Sequence, residues 1–309
     1  MNPGRSRARL ALIVGLAGTA IVIGLAAFRV QSAITPQRIP VTKIDFESMR
    51  LPVREIDFAA ADGLELSGWL VRGRSGYPAI VLCHDWGASK ENLLNLAITL
   101  HERGFPLVLF DFRGHGGSQG RGSTLGIAEK RDILGALDYA RRIDGVDDGR
   151  VGLYGVGMGA HAAVLAASER QTVRVLVLDG LYPDAEFLLL RRFYGSGNSG
   201  VPRPGFLPVW LFSLLTGASP RGERAEGILG RLTGRDLLFV ASEGDSVLAD
   251  EIERMYGAVP LQPDVDGNLV VLPAIQGEGL YGEQMSIHHR EVADFFSSRL
   301  GVPGLPREG

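Results

Sequence analysis

The sequence is poor in the residues that build disulfides and metal centres. It contains a single cysteine, Cys83, so no disulfide can form within the chain. Its six histidines form no His-Glu-x-x-His motif, and cysteine and histidine nowhere stand together at the spacing of zinc ligands. We therefore expect neither a metal site nor a bound cofactor.

An excess of charge of either sign is also absent. The 32 basic and 35 acidic residues give a formal net charge of −3, which gives no reason to expect nucleic acid as a partner. Apolar residues make up 45% of the chain and charged residues 22%, the usual proportions of a globular protein. A length of 309 residues suits one α/β domain that carries an insertion.

The chain has one long hydrophobic run, at its amino terminus. Residues 10–28 are uncharged, follow a short tail (residues 1–9) and lie between Arg9 and Arg29. At about 1.5 Å per residue, a helix over this run crosses roughly the hydrocarbon core of a bilayer. We predict a single transmembrane helix, so the membrane is the expected partner of residues 10–28. A cleaved signal peptide is the alternative, although its apolar region is usually only about 7–15 residues long.

The orientation of this helix depends on a small charge difference. Arginines precede the run and basic residues also follow it closely, at Arg29, Arg38 and Lys43. The slight excess before the run favours a cytoplasmic amino terminus and a globular part on the extracytoplasmic side.

Strand-like and helical segments alternate through most of the remaining chain. Residues 29–50 contain Pro36 and Pro40 and predict a linker, so removal of residues 1–50 is expected to leave a soluble folded domain. Residues 51–301 predict an α/β domain with a mostly parallel sheet of about eight strands and helices on both faces, followed by a tail over residues 302–309. Residues 181–230 interrupt the alternation and predict a cap over the carboxyl ends of the strands.

The most informative turn lies between a predicted strand over residues 151–155 and the helix that follows. It reads Gly155-Val156-Gly157-Met158-Gly159. In the pattern Gly-x-Ser-x-Gly, such a turn holds a nucleophilic serine in a strained conformation, and the flanking glycines let strand and helix approach each other. Here the position of the nucleophile is a glycine, Gly157.

Two further motifs precede this turn. The first reads His84-Asp85-Trp86-Gly87, and the second reads Asp111-Phe112-Arg113-Gly114-His115-Gly116. With the turn at Gly157, they make the chain from about Val53 to Leu300 resemble the α/β-hydrolases of the serine-aminopeptidase-like and lysophospholipase-like kind. In that group the first motif is commonly His-Gly-x-Gly, so Asp85 replaces a glycine.

The resemblance implies a fold and a set of site positions. The α/β-hydrolase fold would place backbone amides of Asp85 or Trp86 and of Met158 in an oxyanion hole. The Asp85 carboxylate either lies beside this hole and opposes the developing negative charge, or points to solvent or accepts local amides. Cys83, at the end of a buried strand, is expected to be inert.

The resemblance also assigns the acid and the base. Asp245 stands at the position of the acid, although it would serve equally well as the cap of the next helix. The base would come from the loop after the last strand, where Glu278, or Gly277 in the alternative alignment, occupies the position of the histidine. No histidine lies between His161 and His288, and the spacing of His288 with Val292 and Phe295 predicts a packed position on a helix.

A missing nucleophile and a missing base predict lost catalysis, because the two act as a unit. The first hypothesis is a membrane-anchored, catalytically inactive protein that binds a small apolar ligand or a protein partner in the cleft under the cap. The second is an esterase or peptidase with a non-standard nucleophile or base.

Overall fold

An eight-stranded sheet forms the centre of the protein. The computed structural model describes residues 3–38, 44–195, 205–259, 267–272 and 282–301. The strand order is β1-β2-β4-β3-β5-β6-β7-β8. Strand β2 runs antiparallel to both of its neighbours, β1 and β4, and strands β3 to β8 run parallel to one another. The strands are β1 (Val53–Ala59), β2 (Glu65–Val71), β3 (Pro78–Cys83), β4 (Leu107–Phe110), β5 (Asp147–Val156), β6 (Val173–Asp179), β7 (Asp236–Ser242) and β8 (Gly267–Leu272).

Helices cover both faces of this sheet, as the alternating pattern predicts. They are α1 (Pro3–Ile34), α2 (Leu94–Glu102), α3 (Lys130–Ala140), α4 (Met158–Ser168), α5 (Ala185–Tyr194), α6 (Phe206–Thr216), α7 (Ala225–Leu229), α8 (Ser246–Gly257) and α9 (Glu283–Leu300). One apolar core lies between the sheet and α3, α4, α8 and the cap helices, and a second lies between the sheet and the α2 and α9 pair. The predicted fold class is confirmed.

The predicted cap contains three helices of the described chain, α5, α6 and α7. Helix α5 is capped at its start by Asp184, which accepts a hydrogen bond from the Phe187 amide at 2.8 Å. Helix α6 buries Val209, Leu211 and Phe212 against the core. The cap therefore shares the main core of the domain.

Helix α1 extends beyond the predicted end of the membrane segment. It continues to Ile34, and Ala26, Val30, Ala33 and Ile34 are buried against the cap helices α5 and α6. Their spacing of four, seven and eight residues marks one face of a helix. The first residues of the predicted linker are thus helical and part of the core.

The second half of the predicted linker also packs on the domain. The ring of Phe46 meets that of Trp69 edge to face at 5.0 Å. Removal of residues 1–50 would take this contact away together with the docked end of α1. The boundary at residue 50 stays a prediction, and these contacts favour a truncation that begins before Ala26.

Candidate active site

The turn between β5 and α4 has the geometry expected from its glycines. Gly157 adopts φ 57° and ψ −115°, a conformation that side chains rarely take. Its amide donates to the Asp179 carbonyl at 2.8 Å, which fixes the turn to the end of β6. A β-carbon on Gly159 would lie 2.5 Å from the Cys83 carbonyl oxygen, so glycine is required where α4 crosses β3.

The side chain of Asp85 occupies the space above Gly157. Its Oδ1 accepts hydrogen bonds from the amides of Trp86 and Met158, both at 2.7 Å. These are the two amides that the resemblance assigns to the oxyanion hole. In the site that the resemblance implies, this carboxylate oxygen would take the place of a substrate oxyanion. A β-carbon on Gly157 would overlap the carboxylate.

The sequence left two alternatives for Asp85, and the structure combines parts of both. The carboxylate does accept a local amide, that of Trp86. It also accepts a hydrogen bond from the amide of Met158, which belongs to another turn, the one between β5 and α4. Asp85 therefore joins the two sides of the site with its own negative charge.

The charge on Asp85 is only partly compensated. Burial raises the pKa of its carboxyl group to about 6, even though the two amides and the Arg192 guanidinium favour the ionised form. Arg192 comes from α5 and stacks on the indole of Trp86, 3.0 Å from the ring centroid. The cap thereby supplies the cation that faces this site.

Two neutral histidines brace the loop that carries Asp85. His84 Nε2 accepts the Phe112 amide at 3.0 Å, so its proton lies on Nδ1, which donates to the Asp85 carbonyl at 2.6 Å. In the same way, His115 Nε2 accepts the Gly87 amide at 3.1 Å. Burial lowers the pKa of both rings, that of His84 to about 3. Both histidines therefore hold backbone groups as neutral rings.

Buried ion pairs anchor the second motif beneath these histidines. Lys90 Nζ lies 2.5 Å from the Asp111 carboxylate, and both side chains are almost fully buried. Arg113 contacts the buried Asp132 at 2.5 Å and Asp62 at 3.0 Å. The intact Asp111 to Gly116 motif thus serves as a scaffold for the loop at Asp85.

Asp245, the predicted acid, is bound to the cap. Its carboxylate accepts the Leu248 amide at 3.2 Å, which confirms that it caps α8. The same carboxylate pairs with both terminal nitrogens of Arg191 on α5, at 3.0 and 2.5 Å. Glu278 and Gly277, the predicted base positions, lie outside the described residues.

Comparison with known proteins agrees with this architecture. Residues 62–179 match the X-Pro dipeptidyl-peptidase (S15) family. The uncharacterized protein YfhR of Escherichia coli K12 is 28% identical over 255 residues, 79% of this chain and 81% of that protein. An uncharacterized protein of Mycobacterium tuberculosis H37Rv is 27% identical over 224 residues, 72% of this chain and 71% of that protein.

A solved structure extends the likeness to the whole fold. The Pyrococcus furiosus esterase Pf2001 superposes with a TM-score of 0.65 at 20% identity, covering 86% of this chain and all of the esterase. The chain has the α/β-hydrolase fold. At this identity the superposition shows the fold alone, so activity has to be argued from the site.

One part of the candidate site was missed in the sequence. Asp179, at the end of β6, accepts a hydrogen bond from the Tyr154 hydroxyl at 2.8 Å and lies 2.8 Å from His288 Nε2. Burial opposes protonation of His288, but the Asp179 carboxylate outweighs it and raises the pKa of the ring. His288 is buried as predicted, yet it also forms an ion pair beside the turn at Gly157. An aspartate directly after an apolar strand was the available signal.

The other side chains near the turn that could act as nucleophiles are poorly placed. Cys83 is fully buried, and burial raises the pKa of its thiol well above the ordinary value. Ser89 and Ser123 are also buried, and the Ser123 hydroxyl contacts the Met158 sulfur at 3.2 Å. Among the described residues, no group of histidine, cysteine and acidic side chains is arranged to bind a metal ion.

Proposed function

We propose that this α/β-hydrolase-fold protein is membrane-anchored, has lost ester and peptide hydrolysis, and binds a ligand or partner through the cleft under its cap. The observation that carries the proposal is the Asp85 carboxylate, which accepts both amides of the former oxyanion hole. An acyl-transfer site stabilises negative charge on the substrate at this position. A fixed carboxylate there blocks the substrate oxygen sterically and repels it electrostatically.

The remaining catalytic positions support the same proposal. Gly157 offers no nucleophile, and Asp245 is engaged by Arg191 instead of orienting a base. Both aspartates interact with arginines of α5: Asp245 forms an ion pair with Arg191, and Asp85 lies in the field of the Arg192 guanidinium. These charges stabilise the packing of α5 against the cleft.

A groove beside this site offers room for a ligand. The groove has a volume of about 600 Å³. One side is lined by residues of the cleft, Trp86, Gly87 and Arg192, and the other by the end of α1 and the residues after it, Gln31, Ser32, Thr35 and Gln37. The aromatic and guanidinium surfaces suit an amphiphile with an anionic or polar head. The sequence predicts a small apolar ligand, and the lining of the groove favours one that also has a polar end.

The anchor rests on the length and exposure of α1. Over Arg9–Ile34 this helix is long and apolar enough to cross a membrane, as no other helix of the described residues is. The side chains of residues 9–25 are exposed on every side of the helix. A helix that is apolar all round and has no protein around it is suited to lipid. An extracytoplasmic position of the domain remains our proposal from the charge bias.

Activity assays test the loss of hydrolysis. A fluorophosphonate probe and a panel of ester and aminoacyl substrates are applied to the full-length protein in detergent, with Asp85→Asn and His288→Gln variants in parallel. We expect no labelling and no turnover in any of the three. Turnover that one of these substitutions abolishes would overturn the proposal.

Membrane washing tests the anchor. After washing with alkaline carbonate, we expect the full-length chain to stay in the membrane pellet, because α1 spans the bilayer. Recovery of the intact chain in the wash supernatant would contradict this.

A second candidate function is an enzyme with a non-standard nucleophile or base. The pair of Asp179 and His288 favours it, because an oriented imidazole next to the turn at Gly157 is what a general base requires. However, no serine or thiol stands at the turn, which reads Gly155-Val156-Gly157-Met158-Gly159. Hydrolysis that depends on His288 and has a pH profile set by this ring would establish this candidate.

A further inference from the structure

Cap helix α6 presents an apolar face to the outside of the protein. Phe206, Trp210, Leu214 and Leu215 are 76, 46, 65 and 46% exposed, although all four are large apolar residues. Positions 206, 210 and 214 are four residues apart, so they form one stripe along the helix. The opposite side of α6 is buried, which fixes the direction of the exposed stripe.

This stripe lies next to the membrane segment. Helix α1 packs on α6, and the buried face that makes this contact starts at Ala26. The uncharged run of α1 ends only at Phe28, which is itself 71% exposed. The last turn of the apolar run therefore lies alongside the cap, and the surface of any bilayer that holds residues 10–28 has to pass close to α6.

The residues around the stripe match the boundary of a bilayer. Tyr194, at the end of α5, is 51% exposed and its hydroxyl lies against Gly205, where α6 begins. Tyrosine and tryptophan are enriched where hydrocarbon meets headgroups. Arg29 follows the apolar run directly and donates to the Phe193 carbonyl at 3.0 Å, so a cation stands at the level of the headgroups.

We infer that the exposed face of α6 lies in the headgroup and acyl boundary of the bilayer, as a second membrane contact of the domain. The inference rests on the membrane anchor of the proposed function. It commits to lipid as the occupant, because the stripe continues the lipid-facing surface of α1. The groove bounded by Gln31, Thr35 and Arg192 then opens at the level of the headgroups, so its ligand enters from the membrane surface.

Quenching of a fluorophore by lipids tests this inference on the full chain. Single cysteines are introduced in a Cys83→Ser background and labelled with an environment-sensitive dye, at Leu214 on the stripe, at Ile13 within the anchor and at Gly227 on α7. Gly227 is an exposed position with free space around it, so it serves as the matched control. The labelled proteins are reconstituted in phosphatidylcholine vesicles with or without lipids that carry a spin label near the top of the acyl chain.

We expect the dyes at Leu214 and Ile13 to emit at shorter wavelength and to lose fluorescence to the spin-labelled lipid, while the dye at Gly227 does neither. Quenching at Ile13 without quenching at Leu214 overturns the inference on α6 and leaves the anchor intact. Absence of quenching at both positions overturns the anchor and the inference with it. Quenching at Gly227 equal to that at Leu214 also overturns the inference, because the whole domain would then adsorb without orientation.

Discussion

The site has a scaffold and a reacting centre, and the two differ in what their residues do. In the scaffold, His84, His115 and Arg113 hold backbone and carboxylate groups in the arrangement expected of an α/β-hydrolase. At the position of the reacting centre, Gly157 carries no side chain, and the Asp85 carboxylate accepts hydrogen bonds from the Trp86 and Met158 amides. On the proposed function, the motif stays intact while hydrolysis is lost, because the hydrogen bonds of the scaffold stabilise the fold by themselves.

The largest effect is expected from Gly157→Ser. A serine would have to adopt the strained conformation of Gly157, which costs about 1–3 kcal/mol, and would overlap Asp85 at a comparable further cost. We expect a loss of about 4 kcal/mol in the free energy of unfolding, measured by denaturant titration of the full-length protein in detergent.

Gly180→Ser is the matched control for this substitution. Gly180 has φ 60°, close to that of Gly157, but a β-carbon there has only ordinary contacts. It reports the strain alone, so we expect about half the effect. Adding Asp85→Gly to Gly157→Ser is expected to recover the difference, and equal losses in Gly157→Ser and Gly180→Ser would show that the Asp85 side chain does not fill the site.

Arg113→Ala tests the scaffold. It leaves the buried Asp132 without its cation and is expected to cost about 3 kcal/mol in the free energy of unfolding. Arg131→Ala is the control, since Arg131 is half exposed and pairs with the same Asp62 at 3.3 Å, and it should cost below about 1 kcal/mol. Equal costs for both would mean that the buried pair does not support the loop.

Asp85→Asn tests the charge in the hole. The folded-state pKa of Asp85, about 6, lies above its unfolded value of 3.8, so the stability this group contributes is complete below pH 3.8 and is lost as the pH rises through 6. An asparagine keeps an oxygen that accepts hydrogen bonds from both amides. Because it carries no charge, the loss of stability with rising pH disappears. We expect the variant to gain about 1–2 kcal/mol over the wild type at pH 7.5.

The pH series provides the check. The difference in unfolding free energy between Asp85→Asn and the wild type should increase between about pH 4 and pH 6.5. Asp57→Asn, which replaces an exposed acid on β1, controls for the loss of a surface carboxylate. A difference for Asp85→Asn that is independent of pH would contradict a buried, partly compensated charge.

The smallest effect separates the two roles of Asp245. Asp245→Asn removes the ion pair with Arg191 but retains a good helix cap, and should cost about 0.5–1 kcal/mol in thermal or denaturant unfolding. Asp245→Ala also removes the cap of α8 and should cost about 1 kcal/mol more. Identical values for both variants would exclude a contribution from the cap.

Local patterns predicted the fold and the position of the turn, because both depend on neighbours in the sequence. The fully buried strand Pro78–Cys83 was evident from its unbroken apolar run, and the turn at Gly157 from the spacing of its glycines. The contact of Asp179 with His288 was not predictable in this way, since it joins a strand end to a helix far along the chain. Asp85 was recognised as unusual, but its second partner, Met158, is a neighbour only in space.

The docked end of α1 was missed for a different reason. A helix that interacts with lipid is apolar on every side, so the face that packs on protein carries no contrast in the sequence. Ala26 and Val30 resemble the exposed apolar residues before them. Only the structure separates the turns that meet α6 from those that remain exposed.

The packing of α1 on the cap also determines which part of the molecule is able to move. In many hydrolases a cap swings away from a stationary sheet to admit its ligand. Here the cap packs on the helix that we propose as the membrane anchor, through Val30, Ala33 and their neighbours. With that anchor the membrane would be the fixed frame, and the cleft would widen by a tilt of the sheet away from the bilayer while the cap stays in place.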